Sequence, residues 1–216
     1  MNVKNKKRTL LVSSFILLPF VFVLFQVTSR TLEPKWGFIT GFLGYWSYCL
    51  LTAWLISGSD LNYLKGVWNQ QLENKHAKLI GFILAMVVIA CFFIGFVPDV
   101  AKLTVSTGAL VLIMAILNGP IEELYWRGLY LLEYQDDARI GLILSMLLFG
   151  TWHFSLWFAK GMIYKEGIFV VVGVPYMLGL LWTWVARSNR NIRATVLTHI
   201  LINIFAFTSL FVDNSF

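Results

Sequence analysis

Residues 103–132 read LTVSTGALVLIMAILNGPIEELYWRGLYLL, and this stretch decides both the fold and the chemistry of the chain. It is mostly apolar and longer than the about 20 residues that a helix needs to cross a membrane. Asn118-Gly119-Pro120 interrupts it, because proline lacks the N–H that a helix interior uses. We therefore predict a kinked transmembrane helix, or two helical pieces, with Glu122, Glu123 and Arg127 inside the bilayer.

The composition of the whole chain also indicates a membrane protein. Of its 216 residues, 58% are hydrophobic and 13% are charged, whereas soluble domains carry about a quarter charged residues. The net charge of +6 does not indicate nucleic-acid binding, because the basic residues lie in short segments between apolar runs. Cys49 and Cys91 lie in separate apolar runs, so we interpret both as buried small hydrophobes.

Seven segments are long and apolar enough to be transmembrane helices. They are residues 10–28, 36–57, 79–98, 103–132, 140–159, 166–186 and 192–212. A cleaved signal peptide is the alternative for the first segment, but Val27-Thr28-Ser29 is a poor cleavage site. The sequence thus predicts an all-α, multi-pass helix bundle that forms one membrane domain over residues 1–216, in the plasma membrane if the chain is bacterial.

The distribution of Lys and Arg predicts the orientation of the bundle, because cytosolic loops carry an excess of them. With the N-terminus in the cytosol, 11 of the 17 basic residues lie on the cytosolic side, 5 lie on the far side and Arg127 lies within a span. The five on the far side are Arg30, Lys35, Lys102, Lys160 and Lys165. We therefore predict a cytosolic N-terminus and seven crossings.

Ionisable side chains inside a span are costly, so each one is a hypothesis about function. Glu123 and Arg127 are four residues apart, share a helix face and are expected to pair. Glu122 is rotated by about 100° from Glu123 and has no obvious partner on its own helix. Such a glutamate suits a general acid or base. The alternative is that the two acids and Arg127 form an ion-pair network that only fixes helix packing.

Two later spans add histidine and asparagine. His153 follows Phe149 by one helical turn, and His199 and Asn203 share a face of the last span. Each of these alone also fits a buried structural residue or an interhelical hydrogen bond. At 1.5 Å per residue, Glu122, His153 and His199 lie about 10–20 Å from the cytosolic ends of their helices. We therefore expect them in one buried layer that is nearer the cytosolic face.

Three motifs in this order resemble the signature of the CAAX-protease and bacteriocin-processing family, also called CPBP or Abi. They are Glu122-Glu123-x-x-x-Arg127, Phe149-x-x-x-His153 and His199-x-x-x-Asn203. The family includes membrane proteases that trim prenylated CAAX proteins. The resemblance covers roughly residues 103–212, which we expect to be the catalytic core, whereas residues 1–102 match only as accessory hydrophobic spans. Trp126 departs mildly from the pattern, because many members carry Phe there.

The resemblance implies a catalytic role for four residues. Glu122 with His153 would hold and deprotonate the attacking water, and His199 with Asn203 would donate hydrogen bonds to the tetrahedral oxyanion. The remaining motif residues would support the site: Glu123, Arg127 and Phe149.

Whether a metal ion takes part stays open at this point. Glu122, His153 and His199 could bind zinc. Against zinc, the sequence has no HExxH motif, the three residues lie on three helices, and asparagine is not a usual zinc ligand. We favour a glutamate-type enzyme that requires no cofactor over a metallo-type enzyme.

The sequence therefore predicts an intramembrane endopeptidase that cuts a peptide bond near the cytosolic face. Its partners would be the lipid bilayer and a peptide or lipidated protein, such as a CAAX-type tail or a leader or bacteriocin peptide, and no nucleic acid. One alternative is a non-catalytic membrane protein that binds a partner or confers self-immunity to a bacteriocin. A transporter or proton relay ranks last, because transporters more often show an internal repeat with paired broken helices.

Overall fold

The computed structural model describes residues 3–69 and 75–216, and these residues form helices and connecting segments without any β-strand. The α-helices are α1 (Val3–Thr31), α2 (Pro34–Ser57), α3 (Leu61–Asn69), α4 (Ala77–Cys91), α5 (Val105–Glu123), α6 (Tyr130–Glu133), α7 (Ala138–Trp152), α8 (Phe154–Trp157), α9 (Val174–Asn189) and α10 (Arg193–Asp213). Three π-helical segments join or extend them, at Phe92–Phe96, Leu124–Leu129 and Phe169–Gly173. The predicted all-α fold is confirmed.

Among the described residues, seven helices are long and apolar enough to span a membrane, as the sequence predicted. They are Asn5–Thr31, Pro34–Ser57, Ala77–Phe96, Val105–Glu133, Ala138–Trp157, Phe169–Asn189 and Arg193–Asp213. Large apolar side chains are exposed on their outer surfaces, for example Phe82, Ile94 and Phe169, and lipid is the solvent that such surfaces require. The chain is an integral, multi-pass membrane protein.

The fourth span is not divided into two helical pieces at the proline, and it contains a π-helical turn that the sequence did not predict. Helix α5 continues through Asn118-Gly119-Pro120 without a break, and the departure from α-helical geometry begins at Leu124, where the π-helical segment Leu124–Leu129 starts. A proline is tolerated inside a membrane helix where neighbouring helices cover the freed backbone groups. The wide π-helical turn comes directly after the two glutamates, and such turns often lie at functional sites.

Helix α10 packs closely against α5, and a glycine makes this approach feasible. A Cβ atom at Gly119 would lie 2.7 Å from Cγ1 and 3.1 Å from the backbone nitrogen of Ile200. Only the hydrogen atoms of a glycine fit between the two helices here. The backbones of α5 and α10 are therefore in direct contact at Gly119. The contact brings His199, next to Ile200, beside the glutamates that follow Gly119.

The segment 158–168 crosses one end of the bundle and is fastened on two sides. The backbone N–H of Lys160 donates to Ser29 Oγ at the C-terminal end of α1 (3.0 Å). On the other side, Asn214 accepts from the backbone N–H of Ile163 (2.8 Å) and donates to its carbonyl oxygen (3.0 Å). Lys165 also pairs with Asp213 at the end of α10. This end of the bundle lies opposite the end where α1 begins.

Candidate active site

Four candidate catalytic residues from three spans line a common cavity of about 440 Å³. Glu122 comes from the end of α5, His153 follows the last residue of α7, and His199 and Asn203 come from α10. The walls are largely apolar and include Phe149. The residues that the sequence placed in one layer therefore face the same space inside the bundle.

Glu123 and Arg127 form the ion pair that their spacing predicts. Nη1 of Arg127 lies 3.0 Å from Oε1 of Glu123, and both side chains are fully buried. The guanidinium carbon also lies 4.0 Å from the ring centre of Phe149 and 5.3 Å from that of Trp182, an arrangement in which aromatic faces attract a cation. The pair is packed behind the cavity wall formed by Phe149.

Glu122 has three hydrogen-bonding neighbours, so the expectation that it lacks a local partner is wrong. Asn118, one turn earlier on α5, donates from Nδ2 to Oε2 of Glu122 at 2.8 Å. The hydroxyl of Tyr45 on α2 donates to Oε1 at 2.7 Å, and Nε2 of His199 lies 3.2 Å from Oε2. The prediction failed because only charged groups were considered as partners, although an asparagine four residues away lies on the same helix face.

His199 connects the two glutamates. Its Nδ1 lies 2.8 Å from Oε1 of Glu123, and its Nε2 lies 3.2 Å from Oε2 of Glu122. Because carboxylates only accept hydrogen bonds, a ring that bonds both must carry a hydrogen on each nitrogen and therefore a positive charge. With Arg127, the charges of the four groups then balance. Trp182 stacks on the His199 ring with 4.1 Å between ring centres, which fixes the ring plane.

The second histidine has a defined tautomer. Nδ1 of His153 lies 2.9 Å from the carbonyl oxygen of Phe149, and since a carbonyl only accepts, Nδ1 carries the hydrogen in this bond. In the neutral ring, Nε2 is then an acceptor. The rings of Trp152 and Phe149 lie 4.2 and 5.0 Å from the His153 ring, centre to centre. They hold the imidazole in place at the cavity wall.

Asn203 presents a hydrogen-bond donor that has no partner among the described residues. The residue is 9% exposed, and its Nδ2 is buried without an acceptor. Buried polar groups are nearly always satisfied, so an orphaned donor needs an explanation. Because Asn203 lines the cavity, an oxygen atom of a bound molecule could accept this hydrogen bond.

The cavity extends from these residues to the end of the bundle that carries segment 158–168. Its lining at that end includes Ile163, Tyr164 and Glu166 from the segment and Asp213 from the last turn of α10. Two π-helical segments form its sides, with Ile94 on one and Phe169 on the other. Both residues are also exposed on the outer surface of the bundle.

Among the described residues, no three His, Cys, Asp or Glu side chains are grouped so that they could hold a metal ion. Glu122, His153 and His199, the set considered for zinc, are therefore not arranged as a metal site. Both ring nitrogens of His199 face carboxylates instead.

One comparison with known proteins gives a match. The model of a family described as "Type II CAAX prenyl endopeptidase Rce1-like" matches residues 104–205. That match confirms the predicted family resemblance. This Rce1-like region covers just under half of the 216 residues and contains all three motifs. No curated protein and no solved structure matches the chain with significance. The match supports the interpretation of the chain as a CAAX-type intramembrane protease.

Three residues that contact the site were missed in the sequence. Asn118 lies in the Rce1-like region and could have been found from its four-residue spacing to Glu122. Tyr45 and Trp46 lie on α2, more than 70 residues before the glutamate in sequence. No local pattern signals a contact over that separation, because it depends on how α2 packs against α5.

Proposed function

We propose that the chain is an intramembrane endopeptidase in which Glu122 and His153 activate a water molecule for attack on a peptide bond. The observation that carries the proposal is the convergence of Glu122, His153, His199 and Asn203 on one cavity within the bundle. The cavity keeps a carboxylate, an imidazole acceptor and an unpaired amide donor together in largely apolar surroundings. In a site without bulk water, such groups can act as the base and as the hydrogen-bond donor to the oxyanion.

In the proposed reaction, water lies between the carboxylate of Glu122 and Nε2 of His153. Its oxygen attacks the carbonyl carbon of the scissile bond while its proton passes to this pair of groups. The carbonyl oxygen becomes an oxyanion, which accepts a hydrogen bond from Nδ2 of Asn203 and a second one from Nε2 of His199. The 3.2 Å contact of that Nε2 with Glu122 is long, so its hydrogen can be shared. The carbon–nitrogen bond then breaks, and the stored proton moves to the departing amine.

The substrate that fits this cavity is a peptide attached to an apolar group. Glu166 and Asp213 line the cavity beside segment 158–168, at the end of the bundle opposite the start of α1. The apolar side walls at Ile94 and Phe169 suit a lipid chain or a hydrophobic side chain. A lipidated C-terminal tail of the CAAX type and a hydrophobic leader peptide both have this chemistry. We further propose that residues 103–212 form the catalytic core of a single membrane domain.

The proposal is tested by reconstituting the full chain in lipid vesicles with farnesylated CAAX peptides and, separately, with leader peptides. We expect cleavage by the wild type and loss of about a thousandfold or more in Glu122→Gln and His153→Ala, as for removal of a catalytic base. Matched controls are Glu133→Gln and His76→Ala, which change the same residue types away from the cavity. Undiminished cleavage in both site variants would overturn the assignment, and retained substrate binding without any wild-type cleavage would favour the non-catalytic alternative.

A further inference from the structure

The strongest feature outside the three motifs is a pair of aromatic residues on α2 that reaches Glu122. The Tyr45 hydroxyl accepts a hydrogen bond from Nε1 of Trp126 (2.8 Å) and donates to Oε1 of Glu122 (2.7 Å). An indole N–H can only donate, so the direction of this chain is fixed: the tyrosine oxygen accepts from Trp126, and its own hydrogen points at the carboxylate. The Tyr45 ring is also stacked on Trp152, with 4.4 Å between ring centres.

The neighbouring residue holds the other oxygen of the same carboxylate indirectly. Nε1 of Trp46 donates to Oδ1 of Asn118 at 2.7 Å. With its oxygen engaged by Trp46, the amide of Asn118 turns Nδ2 towards Oε2 of Glu122, 2.8 Å away. Two successive residues of α2 thus determine the position of both carboxylate oxygens, one directly and one through Asn118.

Neither Tyr45 nor Trp46 is among the described residues that line the cavity. Both are buried, at 0% and 4% exposure, so a substrate in the cavity would meet Glu122 and Asn118 but not the two aromatic residues. Both also lie outside the matched region 104–205. Any effect of Tyr45 or Trp46 on chemistry must therefore pass through a residue that lines the cavity, and the hydrogen bonds of both lead to Glu122.

We propose that Tyr45 and Trp46 are positioning residues that hold the Glu122 carboxylate for catalysis, which makes α2 part of the catalytic apparatus. The inference rests on the proposed function, in which Glu122 acts on water. A carboxylate whose Oε1 is held by Tyr45 of α2, and whose Oε2 is held by an Asn118 amide that Trp46 fixes, cannot rotate away from the cavity. Preorganised placement of a catalytic group lowers the barrier of the chemical step more than it alters substrate binding.

The kinetic test compares two tyrosines on the same helix. Tyr45→Phe keeps the ring that stacks on Trp152 and removes the donor to Glu122, so kcat is expected to fall about tenfold to a hundredfold with KM unchanged. Tyr48→Phe is the matched control, because the Tyr48 hydroxyl donates to the carbonyl oxygen of Ser13 at 2.8 Å and not to the site. It should keep the wild-type kcat. Trp46→Phe, which acts through Asn118, should lower kcat by a smaller factor.

A spectroscopic measurement separates this inference from the proposed function. The infrared carboxylate bands of isotope-labelled protein contain a component that disappears in Glu122→Gln and thereby identifies Glu122. We expect this component to shift in Tyr45→Phe and to stay in place in Tyr48→Phe. A shift without peptide cleavage by the wild type would uphold the positioning contact and remove the protease proposal.

The opposite result would overturn the positioning role of Tyr45 and leave the proposed function standing. If Glu122→Gln abolishes cleavage while Tyr45→Phe keeps both the wild-type kcat and the wild-type band, Tyr45 does not position the carboxylate. Thermal unfolding checks that each variant is folded. Should Tyr45→Phe fail to fold, Trp46→Phe measures the same effect through the other oxygen of Glu122, and an unchanged kcat and band there would overturn the inference.

Discussion

The fourth span has two faces with different surroundings, although the glutamates on them are adjacent in sequence. We call the face with Asn118 and Glu122 the cavity face, and the face with Glu123 and Arg127 the sealed face. On the cavity face, Glu122 is held by neutral donors and by one edge of His199 while it lines a space of about 440 Å³. On the sealed face, Glu123 and Arg127 neutralise each other within packed aromatic rings.

This difference shows how adjacent positions of one helix place the same residue type in two different surroundings, one at a cavity and one in an ion pair. A rotation of about 100° between neighbouring residues suffices to direct one carboxylate at a cavity and the next at a cation. The cost of burying Glu123 is offset by Arg127, whereas Glu122 stays accessible to a small molecule inside the bundle. His199 touches both carboxylates and so couples the two faces.

The largest expected effect is a loss of stability when the cation of the sealed face is removed. Arg127→Leu leaves Glu123 buried without its counter-ion, and breaking a buried pair in this way costs about 3–5 kcal/mol. We expect a large drop in unfolding temperature in detergent or a loss of folded protein. Arg139→Leu serves as the control, because it removes a cation near the surface. Wild-type stability in Arg127→Leu would contradict the division into two faces.

A change on α10, across the cavity from the cavity face, should act on catalysis rather than on folding. Asn203→Ala removes the unpaired donor that faces the cavity, and loss of one oxyanion donor lowers kcat by about a hundredfold to a thousandfold. Its unfolding temperature should change little, because Nδ2 has no acceptor among the described residues that the substitution would leave unpaired. An unaltered kcat would exclude Asn203 from the oxyanion site.

The contact between α5 and α10 lies between the two faces of the fourth span and sets the distance between these two helices. A Cβ atom at Gly119 would lie within 3.1 Å of the Ile200 backbone, so Gly119→Ala should push the helices apart and destabilise the fold by about 1–3 kcal/mol. Because His199 moves with Ile200, kcat per folded molecule should fall as well. Gly108→Ala is the matched control on the same helix, where a Cβ meets no atom within 4 Å.

The smallest effect is expected outside both faces, at the link between the third and fourth spans. Lys102 donates to Asp99 at 2.6 Å and holds the pKa of that carboxyl below its usual range. The contribution of this pair to the stability of the fold is present above the ordinary titration range of a carboxyl group. It is lost as the pH falls through the lowered pKa of Asp99. Since Lys102 is largely exposed, Lys102→Ala should change stability by less than about 1 kcal/mol, measured by thermal unfolding at neutral pH.

The spans and the sealed face could be predicted from the sequence, because both rest on local rules. Apolar length fixes the seven helices, and four-residue spacing fixes the contact between Glu123 and Arg127. The π-helical turn at Leu124–Leu129 was not predicted, since the proline at position 120 is a more conspicuous signal than any residue of the turn itself.

The supports of the cavity face were largely out of reach of sequence reasoning. Tyr45 and Trp46 contact the site only through the packing of α2 on α5, a contact between residues far apart in the chain. The three motifs identified the residues that meet in the cavity but not what holds them. The cytosolic location of the N-terminus stays a prediction from the distribution of Lys and Arg.

One paired measurement tests the contrast between the two faces most directly. Glu122→Gln and Glu123→Gln differ by a single position, and each is assayed for peptide cleavage per folded molecule and for unfolding temperature. We predict that Glu122→Gln loses cleavage with the smaller loss of stability, whereas Glu123→Gln loses more stability because Arg127 and His199 both lose the negative charge that they share. Full cleavage by Glu122→Gln, or two variants with the same loss of stability and activity, would contradict the separate use of the two glutamates.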